Sequence, residues 1–184
     1  MPTEGITHIT LSDVTFARSG GMKIKLLGRA IRREDDKVCA YVAPHLVPDE
    51  SPLANVEDVF NAISVKGDAI GDVMFYGRGA GKLPTASAVS ADIIDAVKHK
   101  TRRQTTDWGP GGDDVVGDYR ELPMAWYLRT GEREMRIGAV FGEAELIRSA
   151  AAPDTVGILT APMSRRELDE KCKGFDVRSC LPVL

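Results

Sequence analysis

The chain has 184 residues, with 24 Lys and Arg against 27 Asp and Glu and a formal net charge of -3. That length holds one domain or two small ones. The charge balance excludes a protein held to nucleic acid by phosphate neutralisation, which needs a basic excess. Hydrophobic residues make up 43% of the chain, enough for a packed core and too many for wholesale disorder.

Cys39, Cys172 and Cys180 form no C-x-x-C pair and have no His at zinc spacing. They read as reduced thiols, and no metal site is expected. The N-terminus lacks a basic region followed by an apolar one. No apolar run approaches the roughly 18 residues that span a bilayer. The expectation is a cytoplasmic protein with neither membrane nor nucleic acid as partner.

In chain order, residues 10–21 predict a short helix. Thr10 or Ser12 caps it, Leu11, Val14, Phe16 and Ala17 supply apolar contacts, and Gly20-Gly21 end it. Residues 22–32 and 37–43 predict a hairpin joined by an Asp-rich turn. Ile24, Leu26 and Leu27 are expected inward, Lys23 and Lys25 outward. Residues 43–52 hold Pro44, Pro48 and Pro52 and predict an extended loop, because proline lacks the N–H a central strand needs. Residues 60–66 and 69–76 predict a second hairpin turning at Gly67-Asp68.

A glycine-rich loop follows, Gly77-Arg78-Gly79-Ala80-Gly81-Lys82, and then a helix from about residue 86 to 99. Val89, Ile93, Ile94 and Val97 form its apolar stripe. Residues 100–123 lose periodicity and predict a linker. Beyond them come a strand at 126–130, a mostly helical stretch at 136–150 and a strand at 155–161. A helix at 164–173 is capped by Ser164 with Glu167 in the capping-box position, and a last strand runs over 175–184. This β-α-β-α-β order, with room for one more short strand, predicts a small ferredoxin-like sandwich. The fold class is α+β.

The glycine loop is the strongest chemical candidate. Three alternating glycines let a ligand approach the backbone closely, and the following helix start offers free N–H groups to an anion. Two standard motifs fail. A P-loop needs Gly at position 76 and Ser or Thr at 83, where Tyr76 and Leu83 stand. A Rossmann fingerprint needs Gly at the sixth place, which is Lys82 or Pro84. A tight turn alone also explains the glycines. His8, His45 and His99 are isolated, Asp35-Asp36 and Asp113-Asp114 fall in turn and linker contexts, and the basic run 98–103 ends a helix. By chemistry alone there is no catalytic set.

Residues 67–89 (GDAIGDVMFYGRGAGKLPTASAV) followed by Asp92-Ile93 closely resemble homoserine dehydrogenase. The resemblance runs back in order through 59–62 (VFNA), 52–56 (PLANV), 24–28 (IKLLG) and 5–9 (GITHI). It implies NAD(P)-dependent interconversion of L-homoserine and L-aspartate 4-semialdehyde, on the way to threonine and methionine. It places Gly77, Gly79 and Gly81 beside the dinucleotide, Gly79 foremost. It also implies a mixed sheet that contributes to a homodimer.

In that family the N-terminal Rossmann domain, the catalytic lysine and the acidic substrate residues lie upstream of the matched region. No residue here matches them. The chain therefore resembles the C-terminal portion of the enzyme, expected to be inactive and to bind no cofactor without the Rossmann domain; the choice of NAD or NADP is not encoded here. Residues 1–100 correspond to the catalytic domain, 101–123 to a linker, and 124–184 are similar to an ACT regulatory domain. ACT modules usually carry Pro-Gly at the first strand–helix turn, where an amino acid such as threonine binds. The turn 131–138 has none. The alternative reading is a non-enzymatic module that binds an amino acid or dimerises.

Overall fold

The computed structural model describes residues 1–100 and 112–184; residues 101–111 of the expected linker lie outside them. The chain packs as two units, residues 1–54 with 112–184, and residues 55–111.

The first unit opens with α1 (Leu11–Ser19), capped by Thr10 in a capping box with Asp13 and stopped at Gly20. Gly21 takes φ 66°, a left-handed value that suits glycine. Phe16 and Ala17 are buried, whereas Leu11, an expected contact, is 81% exposed. The buried residue in its place is Asp13.

β1 (Met22–Arg32) and β2 (Val38–Pro48) form an antiparallel hairpin. Successive strand side chains point to opposite faces, so Leu26 and Leu27 cannot both face inward; Leu26 is 52% exposed. β2 also continues through Pro44 to Pro48, where a loop is expected. The hydrogen bonds explain this. The Val42 N–H donates to Pro2 O and the Leu46 carbonyl accepts from the Leu184 N–H, so even-numbered residues direct their backbone polar groups away from β1. Pro44 and Pro48 share that parity. Neither removes a bond from the hairpin ladder.

The rest of this unit is β5 (Trp126–Thr130), α3 (Glu134–Phe141), β6 (Glu145–Ile147), β7 (Val156–Leu159), α4 (Arg165–Lys171) and β8 (Ser179–Pro182). The strands form one antiparallel sheet in the order β6-β7-β5-β8. The expected helix over 136–150 stops at Phe141. Gly142, at φ 70°, ends it, and three residues later β6 pairs with β7. α4 has the predicted Ser164–Glu167 capping box.

β5 is buried along its whole length. One face contributes Trp126 and Leu128 to a core with Ile137, Ile158 and Leu168, joined by Cys39, Tyr41 and Ala43 of β2. The other face contributes Tyr127 to a core with Phe16, Ala17, Met22, Leu46, Ile147 and Leu181. α1 thus covers the sheet face that α3 and α4 leave open, while β2 contributes side chains to both cores. Residues 112–123 also pack in this unit: Leu122 is buried, Tyr119 stacks on Tyr41 at 5.0 Å, and Gly117 N–H donates to Val38 O.

The second unit is β3 (Phe60–Gly67), β4 (Gly71–Arg78) and α2 (Lys82–Lys98). The hairpin pairs Gly67 with Gly71, so its turn is residues 68–70 rather than Gly67-Asp68, with Gly71 at φ 72°. α2 starts four residues earlier than predicted, since Pro84 falls in the first turn, where its missing N–H costs nothing. The helix buries none of its residues.

Among the described residues every strand ladder is antiparallel. Parallel pairing occurs only as single bridges, such as Thr3–Val42 and Leu46–Val183. The expected mixed sheet is therefore corrected to three small antiparallel sheets. Both hairpins join consecutive strands through short turns, and short turns permit only antiparallel pairing.

Candidate functional site

β4 leads through Arg78 into the glycine loop, and Gly81 is the N-cap of α2. The strand end is held by rings: Phe60 stacks on Tyr76 at 4.8 Å, and the Arg78 guanidinium lies 5.2 Å above Phe60. Gly79 N–H donates to Val59 O at 3.2 Å, and Thr85 N–H closes the first helical turn on Gly81 O at 3.1 Å.

The three glycines sit in three different settings. At Gly77 an added Cβ would meet nothing within 4 Å. At Gly79 it would land on the Asn61 carboxamide nitrogen, 2.6 Å from Asn61 Cγ. At Gly81 the constraint is the backbone, at φ 126°, a conformation L side chains rarely adopt. The structure thus brings Gly77 and Gly79 together with Asn61, which pairs directly with Gly77 across the hairpin. Sequence reasoning missed Asn61. The available signal was an Asn in the run FNAISVK, since Asn is depleted in strands and marks a position held for another purpose.

The loop's chemistry fits a dinucleotide. Gly77 leaves its α-carbon open. Gly81 gives α2 no side-chain cap, so the N–H groups of Lys82 and Leu83, at the positive end of the helix dipole, are offered outward.

Most of the other sequence candidates are structurally employed, while His8 is exposed. His45 is fully buried. Its Nδ1 lies 2.9 Å from Ala43 O and its Nε2 3.2 Å from the Tyr41 hydroxyl, which receives a hydrogen bond from Arg29. Burial pulls its pKa down to about 4, against the Ala43 hydrogen bond that favours the charged form. It is a neutral core histidine. His99 pairs with Asp95 at 3.0 Å at the end of α2. Asp35 and Asp36 pair with Arg33 and Arg32 in the exposed turn. Asp114 is exposed, and residues 101–103 of the basic run lie outside the described residues. No group of three or more His, Cys, Asp or Glu among the described residues could hold a metal ion, and no described helix is long and apolar enough to cross a membrane.

A separate cleft of about 380 Å³ opens in the first unit at the turn from β5 into α3. Glu132, Arg133, Glu134, Arg148 and Asp154 line it, with Glu134 and Arg148 paired across it.

Comparison with known proteins places these features in a lineage. Residues 1–94 match the family described as homoserine dehydrogenase. The chain is 46% identical to the homoserine dehydrogenase of Pseudomonas aeruginosa over 137 residues, 69% of this chain and 31% of that protein. It is 43% identical to that of Bacillus subtilis over 121 residues, 66% of this chain and 26% of that protein. A solved homoserine dehydrogenase from Thiobacillus denitrificans superposes with a TM-score of 0.77 at 27% identity, over 98% of this chain and 47% of that one. One from S. aureus superposes with a TM-score of 0.71 at 30% identity, over 98% and 46%. The chain thus spans about a third or less of these curated relatives and about half of the solved chains. On the strength of the matched half and these relatives, the chain belongs to the homoserine dehydrogenase family.

Proposed function

We propose that this chain is the C-terminal part of a cytoplasmic homoserine dehydrogenase that interconverts L-homoserine and L-aspartate 4-semialdehyde with NAD(P). The observation that carries the role of the loop is Gly77, open on its side-chain side and followed by an uncapped helix start. Bound NAD(P) supplies the hydride exchange. The residues of this chain do the holding: Gly77 admits the coenzyme to the backbone, Gly79 and Gly81 shape the loop, and Lys82 and Leu83 N–H groups face its negative charge. The catalytic lysine, the acidic substrate residues and the Rossmann fold would come from outside this chain, so the chain alone is expected to be inactive.

The hairpin carries the proposed homodimer. Ile63, Val65 and Phe75 share one face of it and are 66%, 45% and 63% exposed. Such an apolar face favours burial against a second copy.

A complete enzyme carrying Gly77→Val tests the loop. The expected result is an increase of about tenfold in the KM for NAD(P)H, a loss of about 1.4 kcal/mol of binding, with the KM for homoserine little changed. An unaltered coenzyme KM overturns the placement.

Residues 124–184 we read as an ACT-like domain; of the expected 101–123 linker, residues 112–123 pack with it in the first unit. The order β5-α3-β6-β7-α4-β8 and the sheet order support a ferredoxin-like sandwich. A second reading, regulation by an amino acid, draws on the cleft at the β5–α3 turn, whose Arg133, Arg148, Glu134 and Asp154 suit a zwitterion. Against it stands the missing Pro-Gly and the Glu134–Arg148 pair that already occupies those charges. Titration calorimetry with threonine is expected to show no saturable heat; saturable binding would establish the regulatory reading.

A further inference from the structure

We infer that the apolar side of α2 is a docking face, and that its occupant is the half of the complete enzyme that lies outside this chain; this rests on the reading of the chain as the C-terminal part of that enzyme. Leu83, Val89, Ile93, Ile94 and Val97 are each more than half exposed. At about 3.6 residues per turn they fall on one side of the helix, with Ala86 and Ser90 between them. Ala88, Asp92 and Asp95 take the opposite side. That is the pattern of a helix laid on a core, yet α2 buries none of its 17 residues. Such helices draw most of their stability from packing of the apolar face, and a contiguous apolar patch left open marks an interaction site.

The chain spans about half of the solved homoserine dehydrogenase chains, so a complete enzyme brings about as much chain again to cover this face. The place of the helix selects that half over a second copy. α2 starts at Gly81, where the loop offers its uncapped N–H groups to the coenzyme, and the stripe begins two residues on, at Leu83. The part of the enzyme that holds the rest of the dinucleotide must come up against the start of α2, and the stripe continues from that point along the helix. A second copy already has the hairpin face of Ile63 and Phe75. Docking along α2 then fixes the glycine loop from its helix side, as the Val59 carbonyl fixes it from β3.

Hydrogen–deuterium exchange of residues 82–98, compared between this chain alone and the complete enzyme, tests the docking. The helix is expected to exchange at least about tenfold more slowly in the complete enzyme. Ile93→Lys/Val97→Lys puts two ammonium groups into the contact, where they cannot be buried unpaired. In the complete enzyme it is expected to lose that protection and to raise the Kd for NAD(P)H by about tenfold, with the sedimentation coefficient unchanged. Ala88→Lys, on the opposite side, is expected to match the parent in all three. Equal exchange of residues 82–98 in the two unaltered proteins overturns the inference without any variant. So does a double-lysine enzyme that keeps the protection, or one that binds NAD(P)H like the parent. A double-lysine enzyme that sediments as a monomer where the parent is a dimer overturns it too, because the occupant is then a second copy. Failure of the unaltered complete enzyme to bind NAD(P)H removes the dinucleotide reading alone, since exchange and sedimentation still report the docking.

Discussion

Replacing Arg129 with Met is expected to destabilise the first unit by about 3–5 kcal/mol, the usual cost of stranding one member of a buried ion pair. Arg129 Nε donates to Asp13 Oδ1 at 2.8 Å, with side chains only 10% and 1% exposed. Thr10 adds a backbone N–H at 2.9 Å and its hydroxyl at 2.6 Å to the same carboxylate. The pair ties α1 to the central strand β5, so it pins the N-terminal helix onto the sheet.

Burial alone would raise the Asp13 pKa, but the Arg129 and Thr10 hydrogen bonds outweigh it and hold the carboxyl below its ordinary value. The sign follows. A depressed folded-state pKa contributes stability that is complete above the unfolded-state value and is lost as pH falls through the folded-state one. In the parent this contribution should therefore be lost only below about pH 4, where the unfolded-state carboxyl begins to titrate, while His45, held neutral by burial, removes stability separately as pH falls below about 6.5. Arg129→Met removes the cation and leaves burial dominant, raising the Asp13 pKa above its ordinary range. Its stability relative to the parent should rise on mild acidification, as Asp13 takes up a proton and sheds its buried charge. Urea unfolding of both proteins between pH 4 and 8 reads this directly. Parallel pH profiles for the two would show that Asp13 and Arg129 are not coupled.

This pair also marks where sequence reading stopped. The Thr10 and Ser164 caps, both hairpins and the tail elements other than β6 follow from local patterns, because caps and turns are set by residues three or four apart. Nothing local to the sequence singles out Asp13, and only its contact with Arg129, 116 residues away, explains its burial. The continuation of β2 through Pro44 needed the hydrogen-bond parity of the hairpin, which no proline count supplies. In the site, the spacing of Gly77, Gly79 and Gly81 singled out the loop, while the reason for each glycine lay in its neighbours. Gly79 is the preferred ligand contact on pattern; the structure sets the Asn61 side chain beside it and leaves Gly77 open. The stripe Val89, Ile93, Ile94 and Val97 was read correctly as one helix face, but it covers no core: those residues are 52–59% exposed.

Trp126→Ala is expected to cost about 3–5 kcal/mol, the range for removing a large buried aromatic from a core. Trp126 is 1% exposed and sits at the start of β5, which is buried along its whole length. Three contacts beyond packing hold it. Its Nε1–H donates to Met163 O at 2.9 Å, its backbone N–H donates to Thr160 Oγ1 at 3.1 Å, and the Arg165 guanidinium lies 5.4 Å from the ring. The first and last are lost in the alanine variant, and Met163 O is left without that donor. Trp126→Phe separates the parts. It keeps most of the packing and a ring for Arg165, and Met163 O still accepts from the Met124 N–H, so its cost should be about 0.5–1.5 kcal/mol, the net worth of one hydrogen bond. Denaturant midpoints of the two variants at pH 7 check the division. A Phe variant as unstable as the Ala variant would mean that the Met163 hydrogen bond, rather than filled volume, anchors β5 against the loop before α4.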